Sequence, residues 1–165
     1  MKRKRRTENG NAGRAAEPAP GEGKRGAEGH LGYLLRQAQA AFRQAGDGAL
    51  AELDLTLAQF GVLTLLGAYG AVSGAALARL LVQTPQTADA VLKNLARAGL
   101  VARTPDPAHG RIINATLTPA GGARLAAAKR RINALERRLT ARLSAADERT
   151  LRTWLAAVAR DFLPR

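Results

Sequence analysis

Cysteine is absent from the 165 residues, which excludes disulfide staples, thiolate metal sites and thiol redox sensing. Histidine is nearly so: His30 and His109 stand alone, so a centre built on imidazole ligands is not expected and no cofactor is assigned. Aromatic residues make up only 4% of the chain, so its core has to be assembled from Leu, Ala, Val and Ile, a composition that favours helices. No apolar run approaches the roughly 18 residues needed to cross a bilayer, and the basic start is not followed by a hydrophobic stretch. A soluble, cytoplasmic protein with no membrane partner is the expectation. No Gly-rich phosphate loop, cysteine nucleophile or spaced carboxylate and histidine pair is present, so an enzyme is not expected. Acidic residues are scarce: 13 Asp and Glu face 26 Lys and Arg, a balance that surrounds the molecule with positive potential and suits a polyanionic partner.

Residues 1–29 are rich in Gly, Ala, Pro and charge and show no apolar period, so burial cannot offset their ordering entropy and a flexible basic tail is predicted. Its run Lys2, Arg3, Lys4, Arg5 and Arg6 suits nucleic acid, although basic starts often do nothing. The folded domain is then 30–165, which keeps 18 basic against 9 acidic residues and is basic by itself.

Within that domain Leu31, Leu34, Leu35, Ala38, Phe42 and Ala45 recur at the spacing of one helix face, and Gly46 and Gly48 either end or bend the helix. Thr56 with Gln59 forms a capping box for a helix over about 57–68, whose buried positions are Phe60, Leu63 and Leu66. Ser73 caps a short helix to about residue 81. Only Leu81, Val82 and Gln83 separate it from Thr84 and Pro85, a cap and first-turn proline that open another helix. Two helices joined so tightly are the helix-turn-helix signature. The second of them turns Ala88, Val91, Leu92 and Leu95 inward and Gln86, Ala90, Lys93 and Arg97 outward.

After Gly99 the period changes. The runs 100–103 and 111–117 read as a two-stranded hairpin around the turn-rich segment 104–110, with His109, Gly110 and Arg111 at its tip. Thr118 and Pro119 start a long helix with the seam Leu125, Ala128, Ile132, Leu135 and Leu139, flanked by Lys129, Arg130, Arg131, Arg137 and Arg138. Ser144 starts a last helix whose Leu151, Trp154, Leu155, Val158 and Phe162 form a further apolar stripe.

The stretches LTLAQFGVLTLL from Leu55, ALARLLVQTPQT from Ala76, NLARAGLVAR from Asn94 and DPAHGRIINATLTPAG from Asp106, in this order, resemble the MarR family of bacterial regulators. The resemblance covers about 30–162 and implies a mainly α fold with a small β-hairpin wing, a winged helix-turn-helix with flanking dimerisation helices. Residues 30–54 would hold the first dimerisation helix, 55–117 the winged helix-turn-helix and 118–165 the C-terminal dimerisation helices. It further implies a homodimer that binds double-stranded DNA, with a possible small-molecule effector. The recognition helix matches 85–98 and the wing arginine Arg111. Family members often carry Arg where Ala90 stands, and Asp89 brings negative charge towards the duplex.

The candidate DNA-binding residues are therefore Thr84, Gln86, Thr87, Lys93, Arg97, His109 and Arg111. Basic side chains on a recognition helix can donate to phosphates or base edges, and residues at its N-terminus can hold phosphate; the plainer alternatives are a solvated face and a cap. An arginine at a hairpin tip has little packing role and can reach a narrow groove, while His109 is either its assistant or plain loop. Asp106, between two prolines, reads as a turn former or an orienter of a nearby arginine. Trp154 and Tyr33 suit core or dimer packing, or the lining of a ligand cavity. The expected function is a ligand-responsive repressor reading an inverted-repeat operator through two major grooves about 34–36 Å apart. Its rivals are a nonspecific architectural DNA-binding protein and an interaction module with a degenerate reading face.

Overall fold

Five of the six helices begin at a Ser or Thr whose hydroxyl accepts the backbone amide three residues on, each cap contributing about 1 kcal/mol. The computed structural model describes residues 17–163. Its helices are α1 (Leu31–Leu50), α2 (Leu57–Tyr69), α3 (Gly74–Leu80), α4 (Pro85–Arg97), α5 (Pro119–Thr140) and α6 (Ala145–Phe162). Three short strands, β1 (Val72–Ser73), β2 (Val101–Pro105) and β3 (Ile113–Leu117), form an antiparallel sheet in the order β1-β3-β2. The fold is thus mainly helical with a winged helix-turn-helix at its centre. Among the described residues no single helix is long and apolar enough to cross a membrane.

The chain divides into two units at Ala41. In the first, part of the predicted tail takes up a 3-10 helix over Gly23–Arg25, where the Arg25 guanidinium donates to the Pro18 carbonyl and to Gln37 Oε1 at 2.9 and 3.2 Å. The run Lys2 to Arg6 lies outside the described residues. In the same unit the Arg36 guanidinium stands 5.2 Å from the centre of the Tyr33 ring.

The second unit, from Phe42 onward, holds the core: Leu50, Leu55, Val62, Leu63, Leu66, Leu77, Leu92, Leu95, Leu100, Val101, Leu125 and Ile132 are buried together, and no aromatic side chain is among them. Gly46 and Gly48 do not end α1, which runs on to Leu50; Asp47 one turn before its end accepts the Leu57 amide at 2.6 Å and so supports the start of α2. The capping box at Thr56 is complete in both directions, Gln59 Oε1 accepting the Thr56 amide at 2.8 Å. Arg131 on α5 reaches back to Glu52 at 2.7 Å and to the Ala49 carbonyl at 3.2 Å, so this member of the basic flank is a tie within the unit.

The predicted two-stranded hairpin gains a third strand. Ser73, read from the sequence as a helix cap, and Val72 before it also pair with Asn114 and Ala115 of β3. The hairpin itself runs Val101 against Leu117 to Pro105 against Ile113, so Pro105 belongs to a strand and Arg111 and Ile112 to the loop. Val82, in the turn between α3 and α4, has φ 54°, a left-handed conformation that is strained for a β-branched side chain. At the far side of the sheet Thr118 donates its amide to the Leu100 carbonyl at 3.1 Å and its hydroxyl to the Gly99 carbonyl at 2.7 Å. Gly121, one turn into α5, lies so close that a Cβ there would sit 2.0 Å from the Leu100 oxygen.

Candidate nucleic-acid interface

The outer surface of α4 is set by its first turn. Thr84 accepts the Thr87 amide at 3.2 Å and shares a 2.8 Å hydrogen bond with the Thr87 hydroxyl, so both candidates do capping work while remaining exposed. Pro85 follows at the first helical position, where its missing N–H costs nothing. Ala88, Leu92 and Leu95 are then buried, which leaves Gln86, Ala90, Lys93 and Arg97 exposed on the other side, as the helical period requires. Arg97 is turned along the helix and donates to Asn94 Oδ1.

Asp89 does not stand as a bare negative charge. Lys93 Nζ lies 2.8 Å from its Oδ2 and Arg103 Nη2, on β2, 3.1 Å from its Oδ1. The hydrogen bond from Lys93 leads in holding the Asp89 carboxyl below the usual carboxylate range; desolvation opposes it, and the positive charges of Lys93 and Arg103 with the Arg103 hydrogen bond carry the balance. Arg103 went unrecognised in the sequence. Alternation along β2 puts it on the same side as Val101, and β2 packs against α4, so the period of two was the available signal.

The wing loop is organised by Asp106, which acts as a turn former. Its carboxylate accepts the amides of Ala108 and His109, both at 2.9 Å, and the Asn114 side-chain amide at 2.7 Å. These hydrogen bonds, that of Asn114 first, keep its carboxyl below the usual range. Across the loop the Asp106 amide donates to the Ile112 carbonyl and the Ile112 amide to the His109 carbonyl, both at 2.7 Å. No arginine is oriented by it. His109 enters this network only through its backbone, and its side chain is exposed. Arg111 is exposed beside it, with no ion pair or side-chain hydrogen bond among the described residues.

From Val72 to Leu117 the basic residues Arg79, Lys93, Arg97, Arg103 and Arg111 thus face two carboxylates, both already engaged. What this surface offers is a helix with a polar, cationic outer face and an internally hydrogen-bonded turn presenting one arginine, a combination that suits a groove lined by phosphates. Among the described residues no cluster of His, Cys, Asp and Glu has the form of a metal site.

Tyr33 and Trp154 are not brought into a core. Each is 37% exposed, and α6, which carries Trp154, has no buried residue. Beside α6 an apolar groove of about 300 Å³ is lined by Leu139, Leu143, Leu151 and Leu155 with Glu136 and Arg152.

A family model described as MarR family matches residues 53–112. The chain is 38% identical over 131 residues to the HTH-type transcriptional repressor Rv2887 of Mycobacterium tuberculosis, spanning 79% of this chain and 94% of that protein. It is similar to the crystal structure of Rv2887 in complex with p-aminosalicylic acid, at 36% identity and a TM-score of 0.63, covering 79% and 98% of the two chains. A mutant of Escherichia coli MarR complexed with operator DNA matches at 27% identity and a TM-score of 0.73, covering 78% of this chain and 92% of that one.

Proposed function

Since the chain belongs to the MarR family, we propose that it is a transcriptional repressor that binds an inverted-repeat operator as a homodimer and releases it in response to a small molecule. The observation that carries this reading is the pairing of an exposed, cationic α4 face with an exposed Arg111 on a turn hydrogen-bonded through Asp106. Lys93 and Arg97 would meet phosphates or base edges, and Gln86 with the exposed first turn of α4 would meet the backbone or the groove floor. Arg111, beside His109, would enter the neighbouring minor groove.

Dimerisation is supported by apolar side chains left exposed among the described residues: Leu139, Leu151, Leu155 and Phe162 are 58%, 41%, 49% and 84% exposed. A C2 pair would bury this face and set two α4 helices about 34–36 Å apart, one DNA turn. The related repressor's complex with p-aminosalicylic acid supports a small aromatic acid as the effector class. Such a regulator works in the cytoplasm, on DNA, and performs no chemistry.

Selection of bound sequences from random duplexes, followed by competition and footprinting, tests the reading. The expected result is a two-fold symmetric site with half-sites one helical turn apart. Recovery of no preferred sequence would favour a nonspecific DNA-binding protein, and absence of binding at moderate salt an interaction module.

A further inference from the structure

Asp89 is the one acidic residue on α4, and it lies half-buried at the edge of that helix's outer face, next to Ala90 and one turn before Lys93. An acidic group there works against any phosphate, so its presence on a DNA-reading helix asks for a reason. Its geometry offers one. Each carboxylate oxygen takes a different cation, Oδ2 the Lys93 ammonium at 2.8 Å and Oδ1 the Arg103 guanidinium at 3.1 Å, and the two cations come from different elements, α4 and β2. The group remains open to solvent, with Lys93 61%, Asp89 40% and Arg103 30% exposed.

A lysine by itself is a mobile point charge on a four-carbon stem and meets whichever phosphate is nearest. Phosphates are the same along every duplex, whereas base edges differ, so freely swinging cations raise affinity for all DNA and discriminate little. A carboxylate that holds two of them lowers the net charge offered to phosphate and restricts where the remaining donor hydrogens point. We propose that Asp89 is a specificity-determining positioning residue, clamping Lys93 and Arg103 so that α4 and the wing strand present them at fixed places rather than to any phosphate. The proposal rests on the DNA-reading function above. It also turns what looked like a defect of the reading face into a part of its selectivity.

The test compares wild type, Asp89→Asn, Asp89→Glu and the double variant Asp89→Asn with Lys93→Met, each as the full chain. Binding is titrated at several salt concentrations against the selected operator and a random duplex, and thermal melting checks that every variant folds. Exposed ion pairs hold little of a fold together, so Asp89→Asn should melt as wild type does. It should bind random duplex about tenfold more tightly without a matching gain on the operator, and its salt dependence should steepen by about 0.9 for each additional phosphate contacted by a freed cation. Asp89→Glu should restore part of the discrimination, and removal of the Lys93 ammonium should cancel most of the gain on random DNA. An unchanged ratio and salt slope in Asp89→Asn would overturn the clamp, as would equal weakening on both duplexes. Failure of wild type itself to prefer the selected operator would instead overturn the DNA-reading function, and is read on wild type alone.

Discussion

Helices α4 and α6 carry the same kind of apolar stripe and meet opposite fates. In α4 the stripe is spent inside the chain: Ala88, Leu92 and Leu95 are buried against the central core. In α6 the stripe buries nothing, and Leu151, Trp154 and Leu155 remain 41%, 37% and 49% exposed. Periodicity therefore establishes that a helix has a face to hide, but what hides it depends on the rest of the chain. For α4 the neighbours are α2, α3 and β2, folded around the same core. For α6 no described residue covers the stripe, and contiguous exposed apolar surface marks an interaction site, which the proposed homodimer would fill with a second copy.

The sharpest way to test the covered side of this contrast is Leu63→Ala. Leu63 in α2 is fully buried, and its truncation should cost about 2 to 5 kcal/mol, measured by denaturant unfolding at fixed protomer concentration. A loss below 1 kcal/mol would mean that the core is far looser than its burial indicates.

The uncovered side is tested by Leu151→Asp together with Leu155→Asp. Charges on a buried dimer face should cost about 2 to 4 kcal/mol of association free energy, while the helical content of the separate chain survives. Sedimentation equilibrium should then show a mass falling from twice 17.4 kDa towards 17.4 kDa at micromolar concentration. Trp154 is the only tryptophan, so its emission should shift to the red as the face meets water. An unchanged mass would place the dimer elsewhere.

Smaller again is the effect at the wing, where Arg111 is exposed and makes no ion pair or side-chain hydrogen bond among the described residues. Arg111→Ala should leave the melting temperature unaltered and weaken operator binding by about 1 to 3 kcal/mol per site. If affinity and salt slope both stay at wild type, Arg111 is solvated surface and the wing plays no part in binding.

Local chemistry made much of this legible. The Thr56 and Gln59 box, the Thr84 and Pro85 start and the Thr118 and Pro119 start each depend on residues within one turn, and each is present as read. What escaped was long-range. The pairing of Val72 and Ser73 with β3 joins residues about forty positions apart and leaves no mark on a serine already explained as a helix cap. Arg103 escaped for the same reason: its partner Asp89 is fourteen residues away on another element. Asp89 was visible as a charge, but only the fold turned it from a repulsive group into one held between two cations. Trp154 was harder still, since its stripe is read correctly as apolar yet no described residue buries it.

Gly121 has a mechanical consequence. A hydrogen there leaves the start of α5 seated on the Leu100 carbonyl with no room to spare, and two hydrogen bonds from Thr118 pin the same spot. Leu100 leads directly into β2, which carries Arg103 and ends at the wing loop. The start of α5 and the root of the wing strand therefore meet at one contact on Leu100, and any side chain larger than a hydrogen at residue 121 would force them apart.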